Sequence, residues 1–472
     1  MAAVPASIES LRALLPDGAI SVEPEDLAAH AHDWWPLAFL RHRRGDVMSL
    51  PSAVVRPAST EEVATVLRWA QETTTIVVPF GGGSGVAGGA QAIAGAIALD
   101  TRRMDRILAI DDTALTVTAQ TGIMGRTLEE RLNAENLTLG HFPQSIDIST
   151  LGGWIAARSA GQKSARYGRL EEMILGLEVV LPGGRVVRTR PVPATAAGPD
   201  LARLFVGSEG TLGVVTEATL ALRPAPAVVA HGSYAFGSFA AGLDAVRLVA
   251  REELRPAVMR LYDEADVGIA FRDAPDRPDG ALLILRFEGD DIAGAEEEAV
   301  RAIVSANGGK DTGAGLAERW WSHRNDAVGT FRQIMLDGLL GPAAAVDTME
   351  IAGLWPVDGL YERVREALGA HADVVGCHAS HPYPQGTCLY FTFVFVGSTD
   401  EGEVEARYRA AWQTAGDVAI AAGATITHHH GVGLLKAEWL AKEMGEGFEV
   451  LRAIKHTLDP AGIMNPGKLG LS

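Results

Sequence analysis

Apolar residues recur three and four apart over residues 61–72, at Val63, Val66, Leu67 and Ala70, just after Ser59-Thr60-Glu61-Glu62. This spacing predicts a helix with one buried face and a side-chain cap at its start. Around it the pattern shortens to strand-sized apolar runs. Residues 53–55 read as a strand closed by Pro57, 75–78 as a strand stopped by Pro79, and 96–99 as a strand ending at Asp100. Residues 106–110 and 114–119 read as paired strands, and 124–135 as a helix. A hairpin is predicted for 177–181 and 185–188 through Pro182-Gly183-Gly184, and an alternating strand for 213–220. A short capped helix is predicted near residues 7–11. This half reads as α+β with many short strands.

A proline-rich exit at 223–226 precedes a different rhythm. Strands at 232–236, 257–262 and 281–287 alternate with helices at 239–252, 263–271 and 293–307. The repeated strand-helix-strand order predicts a sheet covered by helices on one face, ferredoxin-like in rhythm. A helix at 448–456 and a turn-rich tail close the chain. The expected division is an N-terminal segment 1–49, a first domain 50–225, a second domain 226–425 and a C-terminal segment 426–472 that closes the site and returns to the first domain.

Charge narrows the function classes. The 472 residues carry 41 Lys+Arg against 59 Asp+Glu, a formal net charge of −18. A chain this acidic, with no basic patch, is repelled by a phosphate backbone, so nucleic acid is not an expected partner. The two cysteines, Cys377 and Cys388, cannot build a disulfide framework and fit a reducing compartment. No apolar run approaches the ~20 residues of a membrane span, and the N-terminus lacks the basic start and apolar run of a signal peptide. A cytoplasmic location is expected.

The stretch Gly83-Ser84-Gly85-Val86-Ala87-Gly88 is a literal G-x-G-x-x-G after a strand. A Rossmann site needs a crossover helix of about a dozen residues next, and the following strand comes too soon to fit one. What remains is a loop with glycines at 81, 82, 83 and 85 and with Ser84, pinned by Pro79-Phe80, whose backbone N–H groups can cradle a pyrophosphate. A flexible surface loop is the alternative. A second segment, 143–157, places Ser149 or Thr150 as the cap of a helix, and Gly152-Gly153 clears space for something flat. Similar turns at 161–168 and 207–214 point to one long ligand lying across several loops.

Residues 389–395 alternate as a strand. Tyr390, Thr392 and Val394 share one face, and Phe391, Phe393 and Phe395 share a core face. Tyr390 is thus free to line a cavity, and as an acid/base it needs nearby cations to lower its pKa; His428–His430, Arg260 and Arg332 are candidates. His378 and His381 offer ring nitrogens, but a carboxylate partner is missing and no metal is assigned. Arg332 and Trp355 are weaker candidates for the site.

The segments PFGGGSGVAGG, IALDTRRMDRI, PQSIDISTLGGWIAARSAGQKSARYGRLEEMILGLEVVLPGG and GSEGTLGVVTEATL resemble the FAD-binding (PCMH-type) domain of the vanillyl-alcohol oxidase superfamily. Arg260 in MRLYDEAD, Tyr390 in CLYFTF and the HHHGVGLLKAEWL motif resemble its alkyl-dihydroxyacetonephosphate synthase branch; LDPAGIMNPGKL is common to the superfamily. The resemblance implies an α+β fold: a two-part FAD-binding PCMH-type domain plus an α/β cap (substrate) domain with an antiparallel sheet covered by helices. It implies FAD, with Pro79, Gly81, Gly82, Gly83, Ser84 and Gly85 at the diphosphate. Pro143, Asp147, Ser149, Thr150, Gly153 and Trp154 would line the flavin and ribityl chain. Arg158, Lys163 and Tyr167 would pack around the cofactor, and Glu209, Gly210, Val214 and Val215 would meet the adenine side or the ribityl hydroxyls. The glycine loop has no His or Cys, so a non-covalent flavin is expected. Tyr390 matches the acid/base, Arg260 the substrate-side arginine, His428, His429 and His430 the histidine motif, and Arg332 a further substrate contact. The implied activity is flavin N5 chemistry on a small, anionic keto-phosphate. The alternative is an FAD-linked oxidase or dehydrogenase of a 2-hydroxy acid or alcohol. A homodimer is expected by the same analogy.

Overall fold

The helix read from 61–72 spans Thr60–Thr73, and Ser59 caps it by accepting the N–H of Glu62 at 3.2 Å. Val63, Val66, Leu67 and Ala70 are buried along one side. The computed structural model describes residues 6–46, 49–289 and 293–472; the first five residues of the stretch read for a leader lie outside them. The capped helix links strand Ala53–Val55 to strand Val77–Phe80, and both run parallel to Ile97–Asp100, which lies between them. Pro79 does not stop its strand as expected. Val77–Phe80 is the outer strand of this four-stranded sheet, where a residue without an N–H is tolerated. The glycine-dense connection to Ile97–Asp100 contains no helix, so the G-x-G-x-x-G is not part of a Rossmann unit.

A second, antiparallel sheet orders its strands Ile107–Asp111, Thr116–Gln120, Val214–Ala221, Ile174–Val180 and Val186–Arg188. Helix Gly125–Asn133 packs Leu128 and Leu132 onto it, with Val117, Leu177 and Val179 in the same core.

From Val228 the chain builds a seven-stranded sheet, antiparallel at every pairing, in the order Lys310–Gly313, Val228–Phe236, Ala281–Gly289, Val258–Tyr262, Val374–Tyr383, Gly386–Phe395 and Ala345–Leu354. Helices Phe239–Arg251, Ala293–Ala306, Asp358–Gly369 and Glu401–Ala421 cover one face. Val246, Val300, Val364 and Trp412 join Phe391, Phe393 and Phe395 in one core there. The alternation forces Arg260, His378, Tyr390 and Thr392 onto the other face, toward the first domain.

Both ends of the chain tie the halves together. Helix Pro36–Arg43 sends Leu37, Phe39 and Leu40 into the core of the large sheet, whereas Ile8, Leu11 and Ile20 pack in the first domain. At the other end Asn465 Nδ2 donates to the carbonyls of Gly89 at 3.0 Å and Glu209 at 2.7 Å, and Lys468 Nζ donates to that of Gln91 at 2.8 Å. Cys377 and Cys388 are buried and unpaired. Among the described residues no helix is long and apolar enough to cross a membrane.

Candidate active site

The glycine loop and the polar face of the large sheet enclose a cavity of about 980 Å³. Close packing of backbone on backbone builds its floor. A Cβ on Gly82 would stand 2.0 Å from the Ile148 carbonyl oxygen, and one on Gly81 would stand 2.4 Å from Thr150 Oγ1. Gly83 has φ +65°, which L-residues with a side chain rarely adopt. Two requirements therefore act on these glycines at once, loop-on-loop contact and ligand approach. Among the described residues, the N–H groups of residues 82–87 find no acceptor, and all six residues line the cavity. Unpaired donors along a cavity wall are what a diphosphate needs. Thr150, not Ser149, caps helix Leu151–Ala157 by accepting from the Gly153 N–H at 3.2 Å, and Ser149 Oγ accepts from Trp154 Nε1 at 2.7 Å.

Many of the expected residues line this cavity: Pro79, residues 81–85, Pro143, Ser149, Gly153, Trp154, Glu209, Gly210, Val214, Val215, Arg260, Tyr390, His429 and His430. Others do not. Thr150 is buried behind the loop as a cap. Asp147 points outward and pairs with Arg126 at 2.7 Å. Arg158 is in the left-handed conformation at a helix end, exposed, and paired with Glu171 at 3.1 Å. Lys163 is held by Glu288 at 2.8 Å, and Tyr167 donates to the same carboxylate at 2.8 Å, so both join the two domains rather than cover a cofactor. Arg332 is exposed: Thr330, Phe331 and Ile334 of helix Ala327–Met335 face the cavity, and the helical turn carries Arg332 away from it. Trp355 lies away from the cavity and donates to the Tyr383 carbonyl at 3.0 Å.

The sheet wall is a stack of rings. Tyr390 lies parallel to His378, centroids 4.6 Å apart, and close to His429 at 5.9 Å and His430 at 5.4 Å. His378 joins Asp266 and Arg260: Asp266 Oδ2 lies 2.7 Å from its Nδ1, and an Arg260 nitrogen lies 2.5 Å from its Nε2. The guanidinium can only donate, so His378 accepts at Nε2 and gives its proton to Asp266 at Nδ1. Arg260 lines the cavity, and its buried Nε has no partner among the described residues. Burial pushes the Tyr390 phenol well above its usual pKa, against smaller lowering by Thr348 and Arg260. The cations expected to lower it are thus outweighed, and Tyr390 holds its proton. Burial also holds His429 far below the usual imidazole range, so it is neutral. One ring nitrogen each of His381, His428 and His429 lies within 4.8 Å of the others, close enough to hold a metal ion.

Two buried carboxylates that the sequence reading did not connect with the histidines fix them in place. Glu350, paired with Lys436 Nζ at 2.7 Å, accepts the N–H of His430 at 2.8 Å. Glu209 comes from the first domain and accepts the N–H groups of Val432 at 2.5 Å and Gly433 at 2.8 Å. Burial raises Glu209 to about 7, against lowering by those two N–H groups. Its folded-state pKa therefore lies above the unfolded one, near 4.5. The stabilisation it gives is full below about pH 4.5 and is lost as pH rises through about 7. Thermal unfolding of wild type and Glu209→Gln across pH 4.5–8 is expected to show a shallower pH slope in the variant; parallel curves would contradict the assignment.

Comparison with known proteins agrees with this arrangement. Residues 51–190 match the family model "FAD binding domain", and residues 225–469 match "FAD linked oxidases, C-terminal domain". The chain is 30% identical over 464 residues to an alkyldihydroxyacetonephosphate synthase of Dictyostelium discoideum, covering 91% of this chain and 75% of that one. It is also 30% identical over 434 residues to the glycolate oxidase subunit GlcD of Bacillus subtilis, covering 89% of each. A solved structure of alkyldihydroxyacetonephosphate synthase superposes with a TM-score of 0.82 at 26% identity, covering 98% of this chain and 84% of that one. The unpaired donors of the glycine loop fit the diphosphate of FAD. The chain belongs to the family of FAD-dependent enzymes in which an FAD binding domain is joined to the C-terminal domain of the FAD linked oxidases.

Proposed function

We propose that the protein acts on a keto-phosphate ester bearing a long aliphatic chain, as the name alkyldihydroxyacetonephosphate synthase implies for its relatives. One observation carries this reading. The cavity wall includes, besides Tyr390, Thr392 and Val394 of the same strand and a largely apolar set of Val346, Phe331, Ile334, Leu339 and Leu340. Four residues along a strand span roughly 13 Å, far more than a two- or three-carbon hydroxy acid needs. Leu339 and Leu340 are 49 % and 40 % exposed. An alkyl chain would bury this surface, at roughly 0.8 kcal/mol per methylene.

In this reading FAD, held non-covalently, supplies the electrophilic flavin N5. Glycine-loop N–H groups hold the diphosphate, and Trp154 and Gly153 border the space left for the ring. Arg260, oriented by His378 and Asp266, donates to the phosphate. Tyr390 delivers its proton to the departing carboxylate oxygen, and His429 and His430 donate to the developing oxyanion. The enclosed apolar wall excludes water from the acyl-bearing carbon.

The alternative, oxidation of a 2-hydroxy acid, draws on the similarity to the glycolate oxidase subunit and on Arg260 as a carboxylate clamp. Anaerobic mixing separates the two. Palmitoyl-dihydroxyacetone phosphate with hexadecanol is expected to give alkyl product without lasting loss of flavin colour. Bleaching by glycolate or lactate, with no alkyl product, would establish the alternative.

A further inference from the structure

His429 lines the main cavity. Its Nδ1 lies 2.9 Å from Nδ1 of His428, and Nε2 of His428 lies 2.8 Å from the hydroxyl of Tyr383. Tyr383 lines a second cavity, of about 310 Å³, whose wall includes the exposed side chains of Glu172, Arg223, Glu253 and Arg255 and which therefore meets solvent. His428 is only 5 % exposed and borders neither cavity, whereas His381 lines both. His428 is the hydrogen-bonded bridge between His429 and Tyr383.

We propose that His429, His428 and Tyr383 form a proton wire between the active-site cavity and solvent in the second cavity. The inference rests on the flavoenzyme reading above: hydroxy-acid oxidation releases the hydroxyl proton, and in ester exchange the incoming alcohol gives up a proton that either returns to Tyr390 or leaves the cavity. Each transfer balances without any change of oxidation state. A proton binds His429 at Nε2 while its Nδ1–H passes to Nδ1 of His428. The Nε2–H of His428 passes to the Tyr383 oxygen, and the original phenol proton leaves to water. Tautomer exchange resets the rings. A second contact crosses the same wall, His381 Nδ1 to Ser164 Oγ at 2.5 Å. The two routes differ in that only His428 is hydrogen-bonded to His429.

The test uses the FAD-loaded protein and needs no substrate. A reducing radiolytic pulse places an electron on the flavin, and the rate at which the flavin then takes up a proton is read from its visible spectrum. Tyr383→Phe is expected to slow that uptake by about tenfold or more, with recovery on adding imidazole, while Ser164→Ala matches wild type. His428→Gln repeats the test should Tyr383→Phe fail to retain flavin. Wild-type proton uptake in both Tyr383→Phe and His428→Gln, or slowing in Ser164→Ala alone, would overturn the wire. Wild-type protein that binds no FAD would instead overturn the reading beneath it, which is visible before any pulse.

Discussion

Gly82→Ala is expected to yield a colourless protein that does not recover flavin absorbance when incubated with FAD. The added methyl would sit 2.0 Å from the Ile148 carbonyl oxygen and 3.0 Å from Ser149 Cα. Both obstacles are backbone, so no side chain can swing aside. The glycine loop must lift off the 148–150 segment, which carries its unpaired N–H groups away from the position a diphosphate would take. Overpacking of this kind costs about 1–3 kcal/mol. The larger effect falls on binding, because several charge-assisted hydrogen bonds depend on the same loop position. Gly359→Ala is the control. Gly359 lies in helix Asp358–Gly369 with nothing near its Cβ position, and alanine there is expected to leave FAD content unchanged and to raise stability slightly. Flavin content after desalting and the unfolding midpoint check both variants. Full FAD occupancy in Gly82→Ala would show that the loop does not hold the diphosphate.

Tyr390→Phe is expected to cut kcat by about 10²- to 10⁴-fold, with FAD content and KM close to wild type. The ring, which stacks on His378, is kept, and only the hydroxyl is lost. Burial keeps that hydroxyl protonated at neutral pH, so its role is to donate, and no activity rise is expected near the ordinary tyrosine pKa of about 10. The contrast is Arg260→Ala, expected to raise KM for a phosphate-bearing substrate more than it lowers kcat, because it removes a binding contact held before and during the reaction. Steady-state rates with flavin content measured on the same samples distinguish these outcomes. A Tyr390→Phe enzyme with wild-type kcat would remove tyrosine from the chemistry.

The local elements were readable because local rules settle them. Ser59 caps its helix, Pro182-Gly183-Gly184 turns its hairpin, and the alternation around Tyr390 correctly separates a phenylalanine core face from a cavity face. The failures are of two physical kinds. Arg158, Lys163, Tyr167 and Arg332 were placed by motif, and each has its direction set by a neighbour or helical phase that a motif does not encode. Arg158 and Lys163 are drawn to Glu171 and Glu288, and the turn of Ala327–Met335 points Arg332 outward. Glu350, Asp266 and Tyr383, which the sequence did not point to, and His378, read only as a metal candidate, meet the site only through contacts long-range in sequence. Asp266 and His378 are 112 positions apart, and Glu350 and His430 are 80 apart. One signal was available: His378 and Tyr390 fall on neighbouring strands, and their shared face follows once the hairpin joining the two strands, Val374–Tyr383 and Gly386–Phe395, is recognised.

The arrangement of both halves around one flavin is tested most directly by a crystal structure of the FAD-loaded protein. Density for the diphosphate against residues 82–85, with the isoalloxazine ring in contact with His429 and facing Tyr390, is the expected result. FAD bound elsewhere, or a cavity that stays empty in crystals grown with saturating FAD, would contradict it.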